Sequence, residues 1–352
     1  MVVWAEAAAV AGVAVGWAVA WAVAAVAVWA AVAVAVWAAV AAAVAAGECK
    51  SHGAGRRGTR MILSVASGKG GTGKTLIATS LALSLEGQGP VQLLDCDVEE
   101  PNAHILLRPT ISSSQPVLIP VPKVDEERCT YCRLCSEACV FKAIAVGPKT
   151  ILFFPELCHG CGLCSYVCPQ KAITEEGREV GVIEEGLTGE IRFVHGRLAI
   201  GEAMPGPVIR AVKERADPAG TVIVDAPAGN SCPVVEAAKG SDFCLLVTEP
   251  TPFGLHDLAL AVELTEKLAI PRGVIINRSG STDREVEAYC AQQRVPVLLK
   301  IPLDRRIAEL YCRGTTLVAG MPGWRRTFLD LWETARHLAT ARRMSHAGDR
   351  RP

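Results

Sequence analysis

The chain has 352 residues, enough for two or three domains that each bury a core. Thirty-six Lys and Arg against 36 Asp and Glu leave no formal net charge, which excludes a global electrostatic pull toward nucleic acid or an anionic surface. Of 14 cysteines, eight fall in two tight runs and six are scattered, a pattern of metal ligation in a reducing cytoplasm, not of a disulfide scaffold.

Residues 1–48 use only Ala, Val, Trp, Gly and Glu apart from Met1, and they pass a transmembrane hydropathy test. They lack the Leu, Ile and Phe of membrane spans, and their residue types are those of GNG and TGG codons. The expectation is a mis-called start upstream of Met61, with residues 1–60 a low-complexity segment and no membrane anchor.

From Met61 short β-branched runs alternate with helical stretches, the signature of an α/β, doubly wound, mostly parallel sheet. Strands are expected at Met61–Ala66, Val91–Leu94, Val222–Val224, Phe243–Val247, Gly273–Ile276 and Val295–Ile301. Helices are expected at Lys74–Leu85, Gly254–Leu268, Asp283–Gln293 and Arg305–Cys312. The 128 positions from Asp97 to Asp225 far exceed the roughly 30 residues of a βαβ unit, so an insert is expected there. Flanked by Pro-rich and acidic stretches, it is bounded at residues 121–178, between two parts of the α/β domain at 61–120 and 179–352.

The first strand runs into "SGKGGTGKT", which fits G-x-x-x-x-G-K-[ST] as Gly68, Gly73, Lys74 and Thr75. In such a loop the backbone N–H groups of Gly70, Gly71, Thr72 and Gly73 and the helix N-terminus face phosphate oxygens. Lys74 reaches the β and γ phosphates of ATP, and Thr75 supplies a hydroxyl to Mg²⁺. Lys69 is a second lysine in a loop that needs one.

The string "KGGTGKT" resembles the deviant Walker A motif of the MinD/ParA-type P-loop ATPases, which include Mrp-like and nitrogenase-iron-protein-like members. That resemblance implies that Lys69 crosses to the partner's phosphates in an ATP-dependent homodimer. It further implies that "LLDCDVEEPN" carries Asp97, orienting the attacking water, and Asp95 in support. "VIVDAPAGNSCP" would carry Asp225, on Mg²⁺ through water, and Gly229 near the γ-phosphate. Asn277 in "GVIINRS" would read the adenine edge, and Ile301–Pro302 in "LKIPLD" would close over the base. Cys232 would lie near the dimer interface.

Within the insert, "CTYCRLCSEACVFKAI" and "CHGCGLCSYVCPQKAI" repeat at an offset of 29, each with the C-x₂-C-x₂-C-x₃-C spacing of bacterial two-cluster ferredoxins. In that spacing the fourth cysteine serves the other cluster. One [4Fe–4S] cluster is assigned to Cys129, Cys132, Cys135 and Cys168, the other to Cys158, Cys161, Cys164 and Cys139, in a ferredoxin-type α+β unit. Zinc is the competing ligand. Val140 replaces the motif's proline, kept as Pro169, which is expected to loosen the turn after Cys139.

Cys96, Cys244, Cys290 and Cys312 read as small buried hydrophobes, and residues 324–338 as a last helix packed on the sheet. The function expected is a cytoplasmic ATPase in which a nucleotide-dependent dimer is coupled to electron transfer. The alternative is an assembly factor that carries iron–sulfur or related metal cofactors. The partners are a second copy and a redox protein or apoprotein acceptor, with no nucleic acid or membrane.

Overall fold

The structure, a computed structural model, describes residues 61–348. The Ala/Val/Trp segment, and with it the reading of a mis-called start, lies outside the described residues.

The strands are β1 (Met61–Ser67), β2 (Val91–Asp95), β3 (Thr110–Val124), β4 (Ile144–Val146), β5 (Ile151–Phe153), β6 (Ile173–Thr188), β7 (Ile191–Leu198), β8 (Thr221–Ala228), β9 (Phe243–Thr248), β10 (Arg272–Ser279) and β11 (Val297–Pro302). All but β4 and β5 form one sheet in the order β11-β10-β9-β1-β8-β2-β7-β6-β3. From β11 to β7 every pairing is parallel; β6 and β3 join antiparallel.

The helices are α1 (Lys74–Leu85), α2 (Ala103–Leu107), α3 (Leu134–Ala138), α4 (Leu163–Tyr166), α5 (Gly206–Glu214), α6 (Cys232–Ala238), α7 (Pro252–Lys267), α8 (Arg284–Gln292), α9 (Arg305–Cys312), α10 (Leu317–Gly320) and α11 (Trp324–Gly348). The parallel strands are apolar on both faces, as burial between two helix layers demands. Leu63, Leu93 and Ile223 face α1, α10 and α11, whereas Leu94, Val222 and Val224 face α5, α6 and α7. The sheet is doubly wound. The final helix does pack on it, through buried Phe328, Leu331, Trp332 and Ala335.

All six expected strands form; β3 and β6 arise largely in the stretches read as flanks of the insert, and β7 and the helix α5 where no element was expected. The Pro-rich flank is itself a strand: Val117, Ile119 and Val121 are buried with exposed Leu118 and Pro120 between them, and Pro122 is buried as well. Proline is tolerated there because β3 is an edge strand whose outward N–H groups need no partner.

Registry defines a ribbon. The β6–β7 pairing ends at Gly181↔Leu198, the carboxyl end of β7, while β6 and β3 stay paired out to Val124↔Ile173. At about 3.4 Å per residue the ribbon projects roughly 27 Å beyond that edge of the sheet. Residues 125–172 sit at its tip, and α5 braces its base, where a Cβ on Gly181 would meet Val208 at 2.9 Å.

Candidate functional site

The parallel strands all end on one edge, and the glycine loop leaves β1 there. Gly73 ends the loop with φ 96°, a conformation that suits glycine, and a Cβ on it would lie 2.5 Å from Asn277 Nδ2. Gly68 is pinned from behind, where a Cβ would lie 2.3 Å from the Asp257 carbonyl oxygen. Asn277 Nδ2 donates to the Thr72 carbonyl (2.7 Å), and its Oδ1 accepts the Arg278 N–H (2.9 Å).

In front of the loop opens a cleft of about 660 Å³, large enough for a nucleotide. Gly70, Gly71, Gly73, Lys74, Thr75, Asp97, Asn277 and Pro302 line it. Gly68, Lys69, Thr72, Asp225, Gly229 and Ile301 do not; Ile301 is fully buried in the core beneath Pro302. The far wall, unanticipated from sequence, is Leu303, Asp304 and the Ile307, Ala308, Tyr311 and Cys312 face of α9. Cys312 is thus exposed on the cleft and not a buried hydrophobe, whereas Cys96, Cys244 and Cys290 are buried.

Behind the loop Asp95 and Asp225 are register partners on β2 and β8, both fully buried. Asp95 accepts the N–H groups of Asp97 (3.1 Å) and Ala103 (3.0 Å), which fixes the turn presenting Asp97. Neither Asp225 oxygen accepts a hydrogen bond of normal geometry. Burial pushes Asp225 up to about 7 against the opposing pull of Thr75 and Lys74, and burial and Asp225 together push Asp95 up. Burial also raises Asp97, with Lys74 opposing. An orphaned buried carboxylate beside the Thr75 hydroxyl and a phosphate loop fits a hydrated Mg²⁺. The β7 neighbour of Asp95 is His195, whose Nε2 lies 2.8 Å from Glu184 Oε2 on ribbon strand β6.

Lys69 turns out of its own cleft. Its Nζ lies 3.2 Å from Glu249 Oε2, and Arg278 Nη1 lies 2.6 Å from the other oxygen. No local pattern signals this contact, because Glu249 follows an apolar strand 180 residues downstream.

At the ribbon tip the offset of 29 is conformational as well. Positive φ recurs at Tyr131 and Gly160, Arg133 and Gly162, Lys142 and Lys171. One cavity is lined by Cys129, Cys132, Cys135 and Cys168, a second by Cys158, Cys161, Cys164 and Cys139. Backbone N–H groups of Ala143 and Ala172 donate to Cys139 and Cys168 Sγ, each at 3.3 Å, as sulfurs of bound clusters require. Among the described residues no three His, Cys, Asp or Glu side chains are arranged to hold a single metal ion; these thiols surround cavities. The donor set fits a cluster. Val140 does not loosen its turn, for Lys142 N–H donates to the Cys139 carbonyl at 3.2 Å, as Lys171 does to Cys168 at 3.1 Å.

A sequence profile for the CobQ/CobB/MinD/ParA nucleotide binding domain matches residues 63–318, from the glycine loop through the cleft helix. The chain belongs to this family. It is a MinD/ParA-like P-loop ATPase. Two uncharacterised proteins of Methanocaldococcus jannaschii are similar to it: one is 33% identical over 73% of this chain and 91% of its own length, the other 34% over 63% and 80%. A 65-residue stretch, 17% of this chain and 18% of the relative, is 40% identical to an iron-sulfur cluster carrier protein of Haemophilus influenzae. Among solved structures, the septum site-determining protein MinD of Pyrococcus horikoshii, complexed with Mg-ADP, is 21% identical, covering 77% of this chain and 94% of its own at a TM-score of 0.48. Among the described residues of this MinD/ParA-type chain, no helix is long and apolar enough to cross a membrane.

Proposed function

We propose that the protein hydrolyses ATP in a nucleotide-dependent dimer coupled to electron transfer through two [4Fe–4S] clusters. The observation that carries this reading is that the ribbon bearing both cysteine quartets leaves the sheet at the edge where the phosphate loop and Asp97 lie. Nucleotide state and a redox centre would then share one edge of one sheet.

In this reading Lys74 and the N–H groups of Gly70 through Gly73 hold the β and γ phosphates, backed by Gly68. Thr75 and Asp225 would hold Mg²⁺, whose charge would favour the ionised form of the Asp225 carboxyl. Asp97 orients the attacking water, and Gly229, at φ 100° with its N–H on the Ser67 carbonyl (3.0 Å), lies on the segment that would approach the γ-phosphate. Asn277 meets the adenine edge, with Pro302 over the base and Ile301 supporting it. Lys69 leaves Glu249 for the phosphates of a second copy. The quartets Cys129, Cys132, Cys135, Cys168 and Cys158, Cys161, Cys164, Cys139 hold the clusters, which supply one-electron transfer in a reducing cytoplasm.

A second reading, a carrier that hands iron–sulfur clusters to apoproteins, is favoured by the similar stretch of the cluster carrier and by the exposure of Cys132 and Cys161. One experiment separates them: ATP turnover by the iron-loaded protein beside an apo-ferredoxin, followed by iron analysis of both. Retention of iron supports electron transfer; stoichiometric movement to the acceptor overturns it in favour of delivery.

A further inference from the structure

The two cysteine cavities are related by the repeat, so any difference between them stands out position by position. Thr130 lines the outer cavity, and its counterpart in the inner one is His159. Gln170 lines the outer cavity where Phe141 lines the inner. His159 and Phe141 stack at 3.6 Å between ring centroids with 12° between planes, a wall that the outer cavity replaces with a hydroxyl and an amide, its own ring, Tyr131, standing where the inner cavity has Gly160.

Charge differs in the same sense. Val146 of the outer cavity corresponds to Glu175 of the inner, and Arg133 of the outer to Gly162 of the inner. Glu175 is held in position, since its Oε1 accepts the Ser165 hydroxyl at 2.8 Å beside Cys164. A Cβ on Gly162 would lie 2.9 Å from the same oxygen, so the residue corresponding to Arg133 must be small for the carboxylate to approach.

The cavities also differ in distance from the ATPase core. The inner one is lined by Pro120 and Pro122, and its Cys158 and Ala143 share a buried cluster with Ile119 and Val121 of β3 and with the sheet. The outer one sits at Val124 and Ile173, the last pair of the ribbon.

We infer that Glu175 and the Phe141–His159 wall make the inner cluster the lower-potential one, and that Arg133 makes the outer cluster the first to be reduced. Reduction adds negative charge to a group already negative from four thiolates. A carboxylate and the apolar faces of a stacked ring pair oppose that addition, and a guanidinium and polar neighbours favour it. An electron moving inward leaves the outer cluster oxidised and the inner one reduced, and that move is uphill. Electrons held by the resting chain therefore sit at the tip, away from the nucleotide.

The inference rests on the proposed cluster binding, and its test separates the two. The full chain is loaded with iron anaerobically, analysed for metal, and titrated with dithionite under electron paramagnetic resonance. Two one-electron steps are expected. Glu175→Gln raises the lower step alone, by about tenfold in its reduction equilibrium, or about 59 mV. Arg133→Gly lowers the upper step alone by a similar amount. His159→Thr raises the lower step without changing the iron content. About eight irons per chain with the substitutions acting on the opposite steps, on both steps, or on neither overturns the ordering and leaves the cluster reading standing. Iron content that stays near zero removes both.

Discussion

Lys69 Nζ and Glu249 Oε2 are 3.2 Å apart, while Arg278 occupies the second oxygen of the same carboxylate at 2.6 Å. Glu249 is 9% exposed and bridges two cations that flank the glycine loop, Arg278 also reaching the Gly71 carbonyl. The loop is thereby tied to the end of β9. Glu249→Gln keeps the shape and removes the charge, and is expected to cost about 1–2 kcal/mol, because both cations lose a partner near one another. Urea denaturation of the ligand-free protein measures it; an unchanged midpoint counts against the tie.

The loop glycines are not interchangeable. Gly68→Ala drives a Cβ to 2.3 Å from the Asp257 backbone, which cannot swing aside, whereas a Cβ on Gly70 finds Ala228 at 4.0 Å. The first change is expected to destabilise by roughly 1–3 kcal/mol and the second by less than about 1 kcal/mol. Thermal unfolding of the two variants decides it.

Asp225 gives the ligand-free protein a pH dependence. Its folded value, about 7, is raised from 3.8 by burial, so the folded chain holds the proton more tightly than the unfolded chain. The stability it contributes is full below about pH 4 and lost as pH climbs through about 7. Asp225→Asn should therefore raise stability at about pH 8 by a few kcal/mol, on the order set by that shift. It should also flatten the decline between about pH 4 and 8, relieve Asp95, and abolish Mg²⁺-dependent hydrolysis. Melting temperatures across pH, without nucleotide, provide the check; a variant less stable than the parent on the alkaline side would contradict it.

Legibility in the sequence followed burial. β1, β2, β8, β9, β10 and β11 stand out because strands covered on both faces read as apolar runs. β3 and β6 did not, for each is a half-covered ribbon strand in which prolines or glutamates take the outward positions. The period of two in β3 is present in Val117, Ile119 and Val121, masked by the apolar Leu118 and Pro120 between them. Motif residues of the glycine loop were legible because phosphate binding needs a contiguous backbone. Glu249 and the α9 wall were not, since their partners lie far off in sequence and no local pattern records the meeting.

The shared-cysteine arrangement predicts a crossed phenotype. Cys139→Ser is expected to damage the cluster whose other ligands are Cys158, Cys161 and Cys164, leaving that of its own run intact. The unaltered protein should hold about eight irons per chain after anaerobic loading. In the variant, iron analysis with electron paramagnetic resonance should show loss of the lower-potential signal. Loss of the signal that Arg133→Gly shifts would reverse the quartets, and stoichiometric zinc in place of iron would remove them.

Lys69 faces Glu249 and not its own cleft, and on the proposed trans role its charge would reach a γ-phosphate only in a second subunit, which would link catalysis to dimerisation. Lys74→Ala should abolish ATP binding, because the buried Lys74 lines the cleft where, on the proposed reading, it would hold the phosphates in cis. Lys69→Ala should leave ATP binding by the monomer within about twofold of the parent, yet remove ATP-dependent dimers and most hydrolysis. Mixing inactive variants is decisive. A heterodimer of Lys69→Ala with Asp97→Ala has one site lacking both groups and one site keeping both if the lysine acts across the interface. That intact site restores a fraction of the parent's turnover, measurable as phosphate release from two preparations that are each inactive alone. A lysine acting in cis leaves one lesion in every site, and mixing restores nothing. Mixed dimers that form, verified by native mass spectrometry, and still release no phosphate would rule out the trans role.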